Sequence, residues 1–232
     1  MRNVALLLSG GTGLRMGSDL PKQYICVYGK MIITRCLERL CRHPMIDAVQ
    51  IVAAEEWREA ILAECVCTDK LRGFSAPGEN RQLSILHGFR DISQYAGKDD
   101  IVLVHDAARP LISEDLISDC LTKIENHDGV MPVLPMTDTV YYSSDGTQVE
   151  QLLDRSRIYA GQAPEAFRLR RYLEANERLL PDRILSISGA TEPAIMARLD
   201  ILMIPGDKNN LKITTQNDLE RYKELLAKES GE

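Results

Sequence analysis

Runs rich in apolar residues alternate with amphipathic segments along the first half of the chain. The runs are five to seven residues long, which is typical of strands buried in a parallel sheet. They lie at 4–8, 48–54, 100–106 and 129–134. Between them, apolar residues recur at helical spacing in segments that include 31–43, 83–89 and 114–126. This alternation predicts an α/β fold, in which helices flank both faces of a mostly parallel sheet.

The pattern changes between residues 137 and 162, where two extended segments flank the pair Asp145-Gly146. An Asp-Gly pair between extended segments is a hairpin signal. We therefore predict one domain over 1–232, with 137–162 as an extended arm. An arm that leaves the core in mid-chain is a common dimerisation device, and a plain surface hairpin explains the pattern equally well.

Composition narrows the class of protein. The chain has 232 residues, 44% of them hydrophobic, and a net charge of −6, which argues against nonspecific binding to nucleic acid or membranes. The apolar runs are too short for a membrane span or a signal peptide. The six cysteines show no zinc-ligand spacing. We therefore expect a cytoplasmic protein with reduced thiols.

A glycine-rich segment with two cations follows the first predicted strand. The segment consists of Ser9, Gly10, Gly11, Thr12 and Gly13. Glycines after a buried strand let backbone N–H groups approach an anion, and Arg15 and Lys22 can reach over it. This predicts a polyphosphate site. The segment does not match a Walker loop, because the Gly-Lys-Ser/Thr ending is absent. It also fits a dinucleotide-binding loop poorly, because Met16 stands where the third glycine should be. A flexible turn with surface cations is the alternative.

Two further polar segments follow predicted strands: Gly78–Arg81 follows a short predicted strand near 74–76, and Asp106–Pro110 follows the run at 100–106. In a parallel sheet, ligands bind outside the carboxyl ends of the strands, so one cleft can hold these segments and the first loop. A carboxylate at Asp106 beside a polyphosphate suits a hard cation. A helix N-cap or an ion pair with Arg109 is the alternative role for this acid.

The sequence resembles the nucleotidyltransferases that make CDP-linked polyol phosphates. The matching segments are GGTGLRMGSDLPKQY at 10–24, VHDAARP at 104–110 and NLKIT at 210–214. This group contains the 2-C-methyl-D-erythritol 4-phosphate cytidylyltransferases of isoprenoid synthesis and the ribitol-5-phosphate cytidylyltransferases of wall and capsule polymers. The resemblance implies a Rossmann-like nucleotidyltransferase fold. It also implies transfer of CMP from CTP to a polyol phosphate, with release of pyrophosphate.

The resemblance also implies roles for individual residues. The implied catalytic residues are Arg15, Lys22, Asp106 and Lys212, with Mg²⁺ held by Asp106. The implied nucleotide-binding residues are Ser9, Gly10, Gly11, Thr12, Gly13, Gly78, Glu79, Arg81 and Ser84. The implied acceptor-binding residues are Asp106, Arg109, Thr139 and Arg155. In the family the arm reaches across a homodimer, so Thr139 and Arg155 would serve the neighbouring subunit. The expected partners are CTP and a small polyol phosphate, without nucleic acid or membrane.

Two departures from the family pattern leave the acceptor open. The family segment Gln-Thr-Pro-Gln appears here as Gln162-Ala163-Pro164-Glu165, and Thr-Asp-Glu-Ala appears as Thr191-Glu192-Pro193-Ala194. Both lie in the acceptor half. Methylerythritol phosphate is our first interpretation, and ribitol phosphate is the alternative. A sugar-1-phosphate nucleotidyltransferase and a non-catalytic nucleotide-binding module on the same fold are the other hypotheses. The turn at Gly78–Ser84 argues against a sugar-1-phosphate nucleotidyltransferase. The retained cations argue against a non-catalytic module.

Overall fold

The computed structural model describes residues 1–11, 20–65 and 69–230. The strands in these ranges are β1 (Asn3–Leu8), β2 (Cys26–Val27), β3 (Lys30–Met31), β4 (Ala48–Val52), β5 (Leu71–Ser75), β6 (Ile101–Asp106), β7 (Gly129–Pro135), β8 (Val140–Tyr142), β9 (Gln151–Leu153), β10 (Tyr159–Gly161), β11 (Glu165–Arg168) and β12 (Ile201–Pro205). The helices are α1 (Ile32–Arg42), α2 (Glu55–Glu64), α3 (Arg81–Ile92), α4 (Glu114–Thr122), α5 (Leu169–Glu177), α6 (Glu192–Met196) and α7 (Gln216–Ser230). No helix in the described ranges has the length and apolar character that crossing a membrane requires.

Eight of these strands form one sheet. Strands β5, β4, β1 and β6 run parallel, and β12 is parallel to β7 at the far edge. Strand β11 lies antiparallel between β6 and β7, and β10 continues antiparallel along β7. The predicted α/β fold with a mostly parallel sheet is confirmed. The antiparallel β11 is absent from the prediction, because a four-residue strand is too short to show a clear pattern of its own.

The core lies on both faces of the sheet, and β1 shows how the sequence builds it. Side chains of successive strand residues point to opposite faces. Ala5 and Leu7 therefore pack into the cluster that contains α1, whereas Val4 and Leu6 pack into the cluster that contains α3 and α5. This burial on two faces explains why β1 is a continuous apolar run.

Register places the carboxyl ends of three strands together. Leu8, the last residue of β1, pairs with Val52 at the end of β4 and with Asp106 at the end of β6. The chain segments that leave these strands therefore begin at one edge of the sheet. This edge is where ligands bind in open α/β sheets.

The segment 137–162 divides into two parts. Strands β8 and β9 form a separate hairpin, in which Tyr141 pairs with Leu152. These two side chains are 56% and 62% exposed, so the hairpin carries an apolar face open to solvent. The remainder, at Tyr159–Gly161, pairs with β7 in the main sheet. A role of the hairpin in dimerisation stays a prediction.

Among the described cysteines, Cys41 departs from the expected reduced state. Cys26, Cys36, Cys65 and Cys120 form no disulfide, whereas Cys41 is disulfide-bonded. The expectation of reduced thiols is therefore wrong for Cys41. Cysteine spacing did not reveal this bond, because the distance between two thiols depends on the packing of the segments that carry them.

Candidate active site

A cleft of about 570 Å³ lies at the carboxyl edge of the sheet. The structure brings ten residues with predicted roles together around it: Ser9, Gly10, Gly11, Lys22, Gly78, Glu79, Arg81, Ser84, Asp106 and Lys212. Leu8, Gln23, Asn80 and Ala108 also line it, and the sequence analysis assigned them no role in the site. The predicted Thr12, Gly13 and Arg15 lie outside the described residues.

The described part of the first loop is held by side chains that follow it. Gln23 donates hydrogen bonds from its Nε2 to the carbonyl oxygens of Ser9, at 2.8 Å, and Gly11, at 2.7 Å. Tyr24 stacks on Trp57, with ring centroids 4.0 Å apart, and its hydroxyl lies 2.7 Å from that of Ser9. Gln23 and Tyr24 thus fix the backbone that lines the cleft. The sequence signal for Gln23 is its place beside Lys22.

The turn at Gly78 is fixed to the start of helix α3. The backbone N–H of Gly78 donates to the hydroxyl of Ser84 at 2.9 Å, and that hydroxyl donates to the carbonyl of Asn80. Asn80 caps the helix by accepting from the N–H of Leu83 at 2.8 Å. The hydroxyl of Ser84, predicted to contact the nucleotide, is therefore engaged in holding the turn.

Position 78 requires a glycine because helix α3 packs closely against it. A Cβ at this position would lie 2.3 Å from the Cβ of Leu83 and 2.9 Å from the backbone nitrogen of Ser84. Backbone atoms at that distance leave no room for a side chain. The glycine predicted from the motif therefore has a packing reason in this fold.

Asp106 is the centre of a cluster of cations. Its Oδ1 accepts hydrogen bonds from Nε of Arg81 at 3.1 Å and from Nη2 of the same side chain at 2.9 Å. Its Oδ2 lies 2.8 Å from Nζ of Lys212 and 3.9 Å from Nε of Arg109. Burial disfavours the carboxylate, but Arg81 and Lys212 outweigh it and hold the pKa of Asp106 well below its usual range.

Arg109 connects the end of β6 with the segment that carries Lys212. Its Nη1 donates to the carbonyl of Asn210 at 2.6 Å, and the N–H of Ile213 donates to the carbonyl of Ala108 at 2.8 Å. These bonds bring Lys212 to Asp106 although the two residues are far apart in sequence. Arg109 was predicted to bind the acceptor, and the structure places it beside Asp106.

His105 is buried behind this cluster. Its Nε2 lies 3.0 Å from the carbonyl of Arg109, and because a carbonyl only accepts, this nitrogen carries the proton. Burial lowers the pKa of His105 to about 4, so the ring is neutral near pH 7. Its contact with a backbone carbonyl indicates a structural role.

Glu165 is an acid of this cluster to which the sequence analysis gave no role. Its Oε1 accepts from the hydroxyl of Thr191 at 2.7 Å, and its Oε2 lies 3.7 Å from Nη2 of Arg81. Burial raises the pKa of Glu165, and Arg81 acts in the opposite direction. The available signal was the departure from the family segment, where glutamine stands at this position.

The two predicted acceptor residues on the arm lie apart from the cleft of their own subunit. Thr139 and Arg155 are exposed, and Nη1 of Arg155 donates to the carbonyl of Thr137 at 2.7 Å. The structure of one chain therefore does not bring them to Asp106. Their predicted use by a neighbouring subunit stays a prediction.

The described residues fit one particular mode of metal binding. In the described part of the chain, no group of three or more His, Cys, Asp or Glu side chains is arranged to hold a metal ion. Asp106 offers one ionised carboxylate at the cleft. Mg²⁺ is commonly held by one or two carboxylates together with substrate phosphates and water, and a single carboxylate fits that mode.

Comparison with known proteins gives the family of the chain. The profile of the 2-C-methyl-D-erythritol 4-phosphate cytidylyltransferase family matches residues 3–228. The enzyme of that name from Syntrophus aciditrophicus is 32% identical, over 98% of this chain and 97% of its own. The ribitol-5-phosphate cytidylyltransferase of Streptococcus agalactiae serotype V is 28% identical, over 100% of this chain and 98% of its own.

Two further similarities concern chain length and fold. The bifunctional enzyme IspD/IspF of Bradyrhizobium diazoefficiens is 34% identical over 100% of this chain, which spans 57% of that relative. The crystal structure of the Francisella tularensis 2-C-methyl-D-erythritol 4-phosphate cytidylyltransferase superposes with a TM-score of 0.80 at 26% identity, covering 96% of this chain and 98% of the other. With the cleft, its cations and a profile match over almost the whole length, the chain belongs to the 2-C-methyl-D-erythritol 4-phosphate cytidylyltransferase family.

Proposed function

We propose that this protein transfers CMP from CTP to a polyol phosphate and releases pyrophosphate, with 2-C-methyl-D-erythritol 4-phosphate as the acceptor. The observation that carries the proposal is the cleft at the carboxyl ends of β1 and β6, where the cationic side chains of Arg81 and Lys212 flank the carboxylate of Asp106. Family membership supports CTP as the nucleotide.

The reaction requires positive charge in the cleft and alignment of the two substrates. A phosphate oxygen of the acceptor attacks the α-phosphorus of CTP, and pyrophosphate leaves from the opposite side. Both reactants are anions, so their mutual repulsion is the main obstacle. Lys22 and Lys212 line the cleft and would offset this repulsion, since fixed charges in a partly dry site stabilise the developing charge.

A phosphate oxygen is already deprotonated near pH 7, so this attack requires no general base. The neutral, buried His105 is consistent with that requirement. Asp106 is the residue that would hold Mg²⁺, and the ion would add positive charge at the α-phosphate. Arg15 belongs to the proposed machinery by family resemblance.

The nucleotide is proposed to lie between the first loop and the turn at Gly78. Gly10 permits this arrangement, because a Cβ there would lie 2.6 Å from the Cβ of Pro77. The backbone of Gly10 and Gly11 would face the phosphates, with Thr12 and Gly13 continuing that role by resemblance. Glu79 and the backbone of Gly78 would contact the base and ribose.

The acceptor site is proposed to be completed by a second subunit. Arg109 would serve from within the subunit, and Thr139 and Arg155 would reach the cleft of the neighbour through the arm. We therefore propose a homodimer. Because CTP is a cytoplasmic metabolite, we also propose that the protein acts in the cytoplasm.

Ribitol 5-phosphate is the second candidate acceptor. A specific observation favours it: the relative from Streptococcus agalactiae is a ribitol-5-phosphate cytidylyltransferase and matches the full chain. The substitutions at Ala163 and Glu165, which lie in the acceptor half, also depart from the family segment.

The test is pyrophosphate release with Mg²⁺ and each of the four nucleoside triphosphates. Parallel reactions contain methylerythritol 4-phosphate or ribitol 5-phosphate. We expect turnover with CTP and methylerythritol 4-phosphate. Turnover with ribitol 5-phosphate alone would assign the second candidate. Silence with both acceptors while CTP binds would exclude these two acceptors and point to a different one, and failure to bind CTP would refute the proposal.

A further inference from the structure

Asp106 has no carboxylate oxygen free of a cation within the described structure. Oδ1 is bound by two nitrogens of Arg81, and Oδ2 is paired with Lys212. A divalent cation that enters with CTP needs at least one of these oxygens. The metal would therefore compete with Arg81 and Lys212 for this carboxylate and weaken at least one of the two ion pairs.

Arg81 has a second acid within reach. Its Nη2 lies 3.7 Å from Oε2 of Glu165, which is slightly beyond hydrogen-bond distance and within ion-pair distance. A shift of less than 1 Å would close this gap to a hydrogen bond of about 2.9 Å. The same nitrogen donates to Asp106 at 2.9 Å, so Arg81 lies between two acceptors.

Glu165 is held rigidly in this position. It begins β11 and pairs with Val104 of β6, two residues before Asp106. Its other oxygen accepts from Thr191, and its side chain is about nine-tenths buried. A fixed acceptor of this kind costs little conformational entropy when the arginine moves toward it.

We propose that Glu165 is a positioning residue that takes over Arg81 when Asp106 turns to the metal–nucleotide complex. The inference rests on the proposed function. Without a second acid, release of Asp106 would leave a partly buried guanidinium without an anion, which is strongly unfavourable. With Glu165 in place, the arginine keeps an ion pair in both states.

The sequence departures support this assignment. The family segments carry glutamine at position 165 and an acid at position 193, whereas this chain has Glu165 and Pro193. One acid is thus lost and another gained on two segments that the hydrogen bond from Thr191 to Glu165 connects. Glu165 therefore places a negative charge where the family segment has a neutral glutamine.

The test compares CTP binding with and without metal. Titration calorimetry measures the affinity for CTP of the wild-type protein and of Glu165→Gln, once with Mg²⁺ and once with EDTA. We expect the affinity with Mg²⁺ to fall by about ten-fold in the variant, a coupling of the usual size between linked sites. The affinity without metal should change less than about two-fold, since Arg81 then stays on Asp106.

Glu192→Gln is the matched control, because Glu192 accepts hydrogen bonds from Ser188 on the same segment. It should bind CTP as the wild type does under both conditions. Equal affinities of Glu165→Gln and wild type with Mg²⁺ would overturn the proposal. Equal losses with and without metal would also overturn it, since they would show a role in packing alone.

If Glu165→Gln does not fold, Glu165→Asp replaces it, because the shorter side chain keeps the charge and moves it away from Arg81. The same metal-dependent loss is expected, and its absence overturns the proposal. The binding test needs no acceptor substrate. Its failure is therefore distinguishable from failure of the proposed function, which appears as absent turnover of the wild type.

Discussion

In the proposed reaction, single residues of the cleft would act through charge held at fixed positions. Lys22 lines the cleft beside the loop that follows β1, and Lys212 approaches Asp106 from the segment after β12. Neither lysine needs unusual chemistry, because an ammonium group in a fixed place stabilises developing negative charge. The neighbouring His105 shows the opposite case, in which burial removes the charge from a titratable group.

Replacement of Lys22 by alanine should lower kcat by at least about 100-fold, which is typical for loss of one preorganised charge-stabilising donor. Steady-state pyrophosphate release with CTP and methylerythritol 4-phosphate measures the effect. Lys30→Ala is the control, because Lys30 pairs with Glu38 instead of lining the cleft. Near-normal turnover of Lys22→Ala would contradict its proposed role.

His105 should make the protein less stable as the pH falls from about 6.5 to 4. In this interval the unfolded chain binds a proton at the histidine, whereas the folded protein, with a pKa of about 4, does not. Each pH unit then costs about 1.4 kcal/mol of unfolding free energy, and the whole interval costs about 3 kcal/mol.

Urea unfolding of wild type and His105→Gln at pH 7, 6, 5 and 4.5 measures this contribution. Glutamine retains a donor for the carbonyl of Arg109. The wild type should lose more stability on acidification than the variant does. Parallel stability curves would show that the histidine is not buried in its neutral form.

At the scale of elements, short segments between strands and helices place the site. The turn at Gly78 is hydrogen-bonded to Ser84 and packed on Leu83, so the start of α3 sets its position. Asn80 caps the same helix and also donates to the carbonyl oxygens of Ile184 and Leu185. The position of the turn at Gly78 thus depends on the packing of α3 as a whole.

Gly78→Ala should raise KM for CTP by about ten-fold or more, because displacement of a binding group by a fraction of an ångström is costly. It should also reduce stability by about 1–3 kcal/mol, the usual cost of overpacking. Gly189→Ala is the control, since a Cβ there has no heavy atom within 4 Å. An unchanged KM for CTP in Gly78→Ala would contradict the proposal that this turn binds the nucleotide.

At the scale of the whole molecule, the main feature is the exposed apolar face of the hairpin of β8 and β9. Tyr141 and Leu152 are register partners, so their side chains share one face of the hairpin. Both are more than half exposed. The proposed dimer would cover this face and bring Thr139 and Arg155 to the neighbouring cleft.

The double variant Tyr141→Asp, Leu152→Asp should sediment as a monomer at concentrations where the wild type is a dimer, because two buried charges oppose association. Its turnover should fall with the loss of the partner's arm. Leu62→Asp, at a 46% exposed position on α2, should leave the mass unchanged. Identical masses of the double variant and the wild type would argue against the arm as the interface.

Parts of this structure that depend on local pattern could be predicted from the sequence. The apolar runs of β1, β4 and β6 and the rule that ligands bind at carboxyl strand ends together gave the fold class and the cleft. The segment NLKIT gave Lys212 through resemblance, and the structure places that lysine 2.8 Å from Asp106.

Parts that depend on pairing between distant residues could not be predicted. Strand β11 is four residues long and takes its place by pairing with β6 and β7, so its own sequence carries little signal. The sequence therefore shows Glu165 only as a departure from the family segment, and its place beside Arg81 becomes visible only in the structure. The hydrogen bonds of Gln23 to the first loop were missed for the same reason.

The place of β11 also has a consequence for synthesis of the protein. Strand β6 is buried on all sides in the finished fold, and its neighbour on one side, β11, comes some sixty residues later in the chain. At ordinary rates of translation the ribosome needs about 3–12 s to make that stretch. During this interval a growing chain has one apolar strand edge without its native partner, and such edges recruit other chains. For these seconds the nascent protein is prone to aggregation through this edge, which β11 covers in the finished protein.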